Sequence, residues 1–387
     1  MAVPISYNIR NLRLRKGATV LTALGIALTV TIAIFIMALL AGLNGAFATT
    51  GDPLNVLVLR KGSTSELAAG GVQRDALEVI RDMPGVARNS RGEPLVSGED
   101  ILVIVLPRRD GTGAVNVTVR FLAPLGIEMR PKVKMVSGRW FAPGQREVAV
   151  SRSINRRFAQ ANIGDQIPIG SGTWTVVGIF DAGGTAHESE IWGDINQIAG
   201  ELDRTQYSSM LIRATDPVAA DALKNRMNDD QRLKLNGMLE PDYYASQTRS
   251  GAPIKFVGMI VAMIMAIGSC FAAMNTMYAA VAYRAREIAT LRIIGFSRVP
   301  ILTSFVFESL LLSLLGAAAG ILLMLPFDGM TTGTSNAVTF SEVVFSLRIT
   351  PEVVGVSVIF ALVMGLFGGL APAWHASRQN IVAALRD

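Results

Sequence analysis

The residues best suited to polar chemistry are few and dispersed. Histidine occurs only at His187 and His375, and the single cysteine, Cys270, lies inside an apolar run where it reads as a small buried residue. Neither a cysteine–histidine pair nor a soluble metal cluster can be assembled from them. Glu188, Glu190 and Asp194 are close together, but they fall in a stretch after Phe180 that reads as a long flexible loop, where solvent-exposed charge is expected. Trp140, Trp174 and Trp192 could offer an apolar face to a substrate or partner; the first two are expected in a core or at its rim. No G-x-x-x-x-G-K-[ST] occurs, so there is no phosphate-cradling loop, and any ATP that is used must be hydrolysed by another chain. No catalytic, metal or cofactor site is expected in this chain.

One segment does concentrate charge in a pattern: YRAREIATLRIIGFSR, from Tyr283 to Arg298. Ile288, Leu291 and Ile294 recur at three-residue steps among Arg284, Arg286, Glu287 and Arg292, which predicts an amphipathic helix ending at the Gly295 turn. Such a helix can lie in lipid headgroups held by its arginines. It can equally be an elbow that enters a groove on another protein, with the four charged residues setting the register. Glu308 stands in the apolar run that follows, where a carboxylate is costly unless paired, protonated or near the interface. It reads either as a coupling contact between helices or as a side chain reaching headgroups or nearby backbone.

The elements that must position these residues are mostly membrane-spanning. Apolar residues make up 50% of the chain and charged residues 17%, against roughly 25% charged in an average soluble protein. Four runs are long and apolar enough to cross a bilayer: 18–47, 254–283, 301–325 and 353–371. The first also has features of a signal peptide, but its apolar length favours an uncleaved anchor. The net charge of +6 is not a polyanion-binding face, because residues 1–17 (net +4), the 284–300 segment (net +3) and the tail 372–387 (net +1) together exceed it. Nucleic acid is therefore not an expected partner, and the basic segments predict cytoplasmic placement of both termini and of 284–300. Residues 48–253 and the short loop 326–352 are then extracytoplasmic. Within the spans, Gly316, Gly320, Gly368 and Gly369 permit close helix packing, and Pro372 marks the exit of the fourth.

Residues 48–253 read as a folded domain. Strands are predicted at 55–59, 101–106, 115–121, 147–150, 173–180 and 207–214, and helices at 72–82, 153–159 and 216–227, the last capped by Asp216 with Pro217 in its first turn. This is an α+β mixture, in one or two lobes. The fold class expected is therefore a membrane protein of four transmembrane helices with a large α+β extracytoplasmic domain inserted between the first and second.

The combination resembles the permease subunits of the MacB-like class of ABC transporters, which also includes the lipoprotein-releasing permeases and FtsX-type cell-division proteins. The resemblance rests on R-x-R-E-I-A-x-L-R-x-x-G at 284–295, the glutamate in the third span, and GGLAPAWHASRQNIVAAL at 368–385. Inside the domain it rests on GRWFAPGQREVAVS at 138–151, NIGDQIPIG at 162–170 and WTVVGIF at 174–180. It implies a split, noncatalytic permease paired with a second copy or a homologous permease, and bound to two cytoplasmic ATPase subunits that carry ATP and Mg. Arg284, Arg286, Glu287, Ile288, Leu291, Arg292 and Gly295 would form the ATPase-coupling elbow. Glu308, Gly316, Gly320, Gly368, Gly369 and Pro372 would have structural or coupling roles in the membrane. ATP-driven closure would move the extracytoplasmic domains to export or extract a substrate, with a periplasmic adaptor and an outer-membrane channel as further partners. The alternative is a mechanotransmission scaffold that regulates an envelope partner without moving substrate. Two departures narrow the likeness: no ATPase domain precedes the first span, and there are four spans rather than the ten of the larger subset.

Overall fold

The computed structural model describes residues 16–67, 71–248, 252–335 and 341–378. The basic residues Arg10, Arg13, Arg15 and Arg386, and all of the closing motif beyond Arg378, lie outside the described residues. In chain order the elements are α1 (Lys16–Thr50), β1 (Asn55–Arg60), β2 (Val72–Gln73), α2 (Arg74–Arg81), β3 (Val96–Pro107), β4 (Ala114–Leu122), α3 (Pro124–Glu128), β5 (Lys134–Gly138), β6 (Glu147–Ser151), α4 (Arg152–Arg157), β7 (Gln166–Ile169) and β8 (Gly172–Asp181). A 3-10 turn (Ala186–Ser189) leads into β9 (Glu190–Asp194), α5 (Ile195–Glu201), β10 (Gln206–Tyr207), β11 (Ser209–Arg213), α6 (Pro217–Asp229), β12 (Leu235–Leu239) and α7 (Glu240–Gln247). Then follow α8 (Ala252–Tyr283), α9 (Ala285–Ile293), α10 (Arg298–Met324), β13 (Thr331–Ser335), β14 (Glu342–Ser346) and α11 (Pro351–Ser377). The chain divides into a helical unit (up to Ala41, Pro253–Met330 and from Leu347 on) and a mixed unit (Gly42–Ala252 with Thr331–Ser346).

In the helical unit, α1, α8, α10 and α11 each contain a stretch long and apolar enough to cross a membrane. Helices this hydrophobic on all sides have no polar face to give to water, and they satisfy their backbone groups internally, as hydrocarbon requires. One buried cluster joins Ile26, Val30 and Ile34 of α1 to Ala317 and Met324 of α10 and to Ala361 and Met364 of α11. A second joins Met277 and Val281 of α8 to Ile288, Ile301, Phe305, Leu312, Ala373 and Ala376. The fourth span does not stop at Pro372: α11 runs through it to Ser377. Its start is fixed by Thr350, whose side chain accepts from the Val353 N–H, with Pro351 in the first turn.

The mixed unit is built on a ten-stranded sheet in the order β12-β1-β11-β3-β4-β9-β6-β8-β5, with β7 paired to β8. The β4–β9 and β6–β8 pairs are parallel and the others antiparallel. Two main cores share this sheet. Val56, Val58, Met210 and Ile212 pack with Ile80, Leu223 and Met227 of α2 and α6 at one end. Val119, Phe121, Val148, Val150, Trp174 and Ile191 pack with Ile154 and Ile198 of α4 and α5 at the other. Asp216 caps α6 as its sequence predicts, accepting from the Ala219 N–H.

Three expectations are corrected. The stretch after Phe180 is not a flexible loop: β9 is a central strand held between β4 and β6, because its Ile191 and Trp192 supply core side chains that a loop could not use. The 326–352 segment is not a plain loop either, since β13 and β14 pair as a hairpin that belongs to the mixed unit. Its Glu342 bonds Arg108, at 2.7 Å, and Arg157. Finally, the helix expected over 72–82 gives its first two residues to β2, which pairs with β10.

Candidate functional site

The elbow is the short helix α9. Arg284 sits at the break after α8, and Gly295, at φ +103°, makes the turn that leads to α10. A residue with a Cβ is strained in that left-handed region, so glycine there lets the chain reverse while the Phe296 N–H bonds the Leu291 carbonyl at 3.0 Å.

Arg284 turns inward. Its Nη1 donates to Glu308 Oε2 at 2.8 Å and its Nη2 to Oε1 at 3.3 Å, and both side chains are about 95% buried (5% and 4% exposed). The guanidinium also lies 5.6 Å from the centre of the Phe305 ring, one turn before Glu308 on α10. An unpaired charge at the centre of a membrane helix costs about 3 kcal/mol on insertion scales. The fork of the arginine offsets this by satisfying both carboxylate oxygens. Glu308 thus contacts the residue that opens α9, and Arg284, expected among the docking charges, turns its guanidinium to that contact.

At the far end of α9, Arg292 Nη1 donates to the Ser377 carbonyl at 2.9 Å, where the last turn of α11 presents partial negative charge. Ile288 and Ala289 are buried, Leu291 is half-buried, and Arg286 and Glu287 are exposed. Ile294 departs from expectation, being 69% exposed. Three-residue steps drift by about 60° each around a helix of 3.6 residues per turn, so the third member of the series leaves the packed face. The inward stripe is Arg284, Ile288, Ala289 and Arg292.

The membrane glycines mark close approaches. A Cβ on Gly316 would stand 2.7 Å from the Ile26 Cβ, and one on Gly320 2.8 Å from the Ala27 carbonyl, so α10 meets α1 almost backbone to backbone. On α11, Gly369 leaves room for the Ser309 side chain of α10, and a Cβ on Gly368 would be 3.0 Å from Ala273 of α8. Pro372 is buried on the same helix.

The mixed unit holds a second polar constellation, which the sequence reading missed. Arg120 of β4 donates to Glu66 (2.9 and 3.0 Å), Glu99 (2.7 Å) and Glu190 (2.9 Å twice). Arg130 closes the other side of Glu99 at 2.6 and 2.8 Å. Neutral donors complete the set: Trp192 Nε1 to Glu190 at 2.7 Å and Ser209 Oγ to Glu66 at 2.7 Å. His187 Nδ1 stands 3.1 Å from Glu190 Oε2. Burial pushes the Glu190 carboxyl upward, but Arg120 and His187 more than reverse this and hold it well below the usual range; Arg130 and Arg120 likewise lower Glu99. Glu190 and Asp194, expected as solvated loop charges, are therefore buried, with Asp194 Oδ2 capping α5 and accepting from the Gly144 N–H at 3.0 Å. Trp174 and Trp192 are fully buried, and Trp140 stacks half-buried on Trp192 at 5.8 Å. The cluster's signal in the sequence was Glu99 at the head of an apolar strand and Arg120 inside V-T-V-R-F-L, both where a strand should be apolar. With the Arg120 guanidinium of β4 shared among carboxylates drawn from β3, β9 and the Glu66 segment, the cluster suits holding strands together.

Comparison with known proteins places these two units in families. The MacB-like periplasmic core domain matches residues 19–230 and the FtsX-like permease C-terminal domain matches residues 259–381. A macrolide export ATP-binding/permease protein from Bdellovibrio bacteriovorus is 24% identical over 97% of this chain and 59% of its own length. The corresponding protein from Pasteurella multocida is 23% identical over 76% of this chain and 47% of its own, so the chain spans about half the length of these relatives. An uncharacterized ABC transporter permease of Bacillus subtilis, YknZ, is 30% identical over 34% of this chain and 30% of its own. Among solved structures, the periplasmic region of MacB from Actinobacillus actinomycetemcomitans overlaps half of this chain and 91% of its own length, with 9% identity and a TM-score of 0.38. With the domain models covering the mixed unit and the helices in succession, the chain belongs to the MacB-like, FtsX-type family of ABC transporter permeases.

Proposed function

We propose that this chain is the noncatalytic membrane subunit that couples ATP hydrolysis by cytoplasmic ATPase subunits to movement of its extracytoplasmic domain, for export or extraction of a substrate. The observation that carries the reading is the two-sided elbow: α9 buries Arg284, Ile288 and Ala289 against the helices and leaves Arg286 and Glu287 exposed. A helix shaped this way can seat in a partner's groove while staying fixed to the spans behind it. In this reading ATP and Mg are held by the ATPase subunits, and the relatives' printed name, ATP-binding/permease protein, supports a link between a permease of this kind and ATP. The elbow and both termini then face the cytoplasm and the mixed unit faces outward. A second permease, identical or homologous, completes the transporter, with an adaptor and an outer-membrane channel as its envelope partners.

The test is purification of the chain from its native membrane in mild detergent, with identification of bound proteins and an ATPase assay. A co-purifying ATP-binding subunit, with hydrolysis that responds to charge reversal at Arg286 or Glu287, supports the proposal. Absence of any ATPase in several detergents and in nanodiscs overturns it. Reconstitution in liposomes then separates a transporter from a signalling scaffold, because only the former moves substrate across the bilayer.

A further inference from the structure

The break at Arg284 poses a mechanical question. A load applied to α9 could be lost by flexing at its junction with α8, or it could be delivered to another helix. Arg284 at the junction makes a two-bond, almost fully buried ion pair with Glu308, 24 residues away on α10. Phe305 covers the guanidinium. At the other end of α9 the Arg292 bond to the Ser377 carbonyl fixes the last turn to α11. Between these two fastenings lie the exposed residues Arg286, Glu287 and Thr290.

We propose that Arg284 and Glu308 are positioning residues that fasten the elbow to α10, so that α9 and α10 move as one body and the flexible joint lies between α8 and α9. The proposal deepens the reading of α9 as the ATPase-docking element. The chemistry favours a fastening over a sliding contact. The two parallel bonds fix both the distance and the rotation of the guanidinium, and in low-dielectric surroundings a broken bond has no water to replace it. Rotation of α9 about its own axis would withdraw Arg284 from Glu308 and Arg292 from Ser377 together.

The experiment uses the full chain in nanodiscs, in a Cys270→Ser background, with nitroxide labels at the exposed positions Thr290 on α9 and Leu315 on α10. Pulsed electron spectroscopy reads the distance distribution between them. The expected result is one narrow distribution that broadens in Glu308→Gln, broadens less in Arg284→Lys, and narrows again in the exchanged pair Arg284→Glu with Glu308→Arg. Rescue by the exchanged pair separates fastening from mere loss of fold, and each variant is read only from monodisperse protein. An unchanged distribution in both Glu308→Gln and Arg284→Lys overturns the proposal, as does an exchanged pair as broad as Glu308→Gln. Because no ATPase is present, the result stands apart from the docking assay: elbow-independent hydrolysis would overturn the reading of α9 while leaving the fastening to be judged by distance alone.

Discussion

The helical unit and the mixed unit each bury arginine–glutamate chemistry, and they do it in opposite ways. Arg284 and Glu308 form a two-bond pair between the start of α9 and the body of α10, with Phe305 beside the guanidinium. Arg120 is shared by three carboxylates from three parts of the chain, one of which has a second arginine. A shared network loses little when one bond stretches, and it locks the strands around it in a single arrangement. A forked pair between two helices fixes one helix to the other without locking the rest of the unit around it, which is the behaviour needed of a fastening.

That contrast can be broken most severely at Arg120. Arg120→Leu leaves three buried carboxylates facing one another, and removing one partner of a buried pair already costs about 3–5 kcal/mol. The expected outcome is loss of the folded mixed unit in thermal or denaturant melts of the full chain; a melting point within a few degrees of wild type would show the network to be dispensable. Glu308→Gln keeps two acceptor or donor positions and shape, so its expected cost is smaller, about 1–3 kcal/mol, with the protein still inserted in the membrane. Equal losses for the two variants would erase the distinction between network and fastening.

Packing offers a third measure. Gly320→Val places side-chain atoms against the Ala27 carbonyl and Val30 of α1, and overpacking of this kind typically costs about 1–3 kcal/mol. It should lower the melting point of the helical unit without changing that of the mixed unit. Acid sharpens the comparison further. Glu190 and Glu99 titrate lower in the folded chain than the usual glutamate value of about 4.3, so the folded state holds fewer protons than the unfolded one near that pH. Their stabilisation is complete above that value and declines as pH falls below it, through the folded-state value. Melts from pH 7 to pH 3 should stay flat and then drop in wild type, with a weaker drop in Glu190→Gln. The smallest effect on stability is expected for Glu287→Lys, within about 0.5 kcal/mol, since the residue is exposed. Its consequence should appear in the ATPase response instead, and a large loss of stability would argue that the outer face of α9 is itself packed.

The two regions also differ in how far they could be read from sequence. The four spans announce themselves because membrane length and the absence of charge are properties of contiguous residues. Glu308 stood out for the same reason, as a charge in the wrong solvent, and Arg284 was visible beside it, but their partnership was not, because nothing local in a sequence pairs residues on separate helices. The mixed-unit cluster was harder. Glu190 and Asp194 sit near glycines and polar residues that imitate a loop, and it is pairing with β4 on one side and β6 on the other that turns that stretch into a core strand. Ile294 failed for a geometric reason, since an apolar residue on a near-period spacing resembles a packed one until the helix ends.

The β13–β14 hairpin changes how the chain connects its two units. A domain inserted at a single point of a helix bundle is tied to it by one pair of chain crossings. Here the mixed unit takes in a second stretch, Thr331–Ser346, between α10 and α11, so the chain passes between the two units four times rather than twice. The chain thus runs from α10 at Met330 directly into β13 of the mixed unit, and from β14 back toward α11 after Ser346.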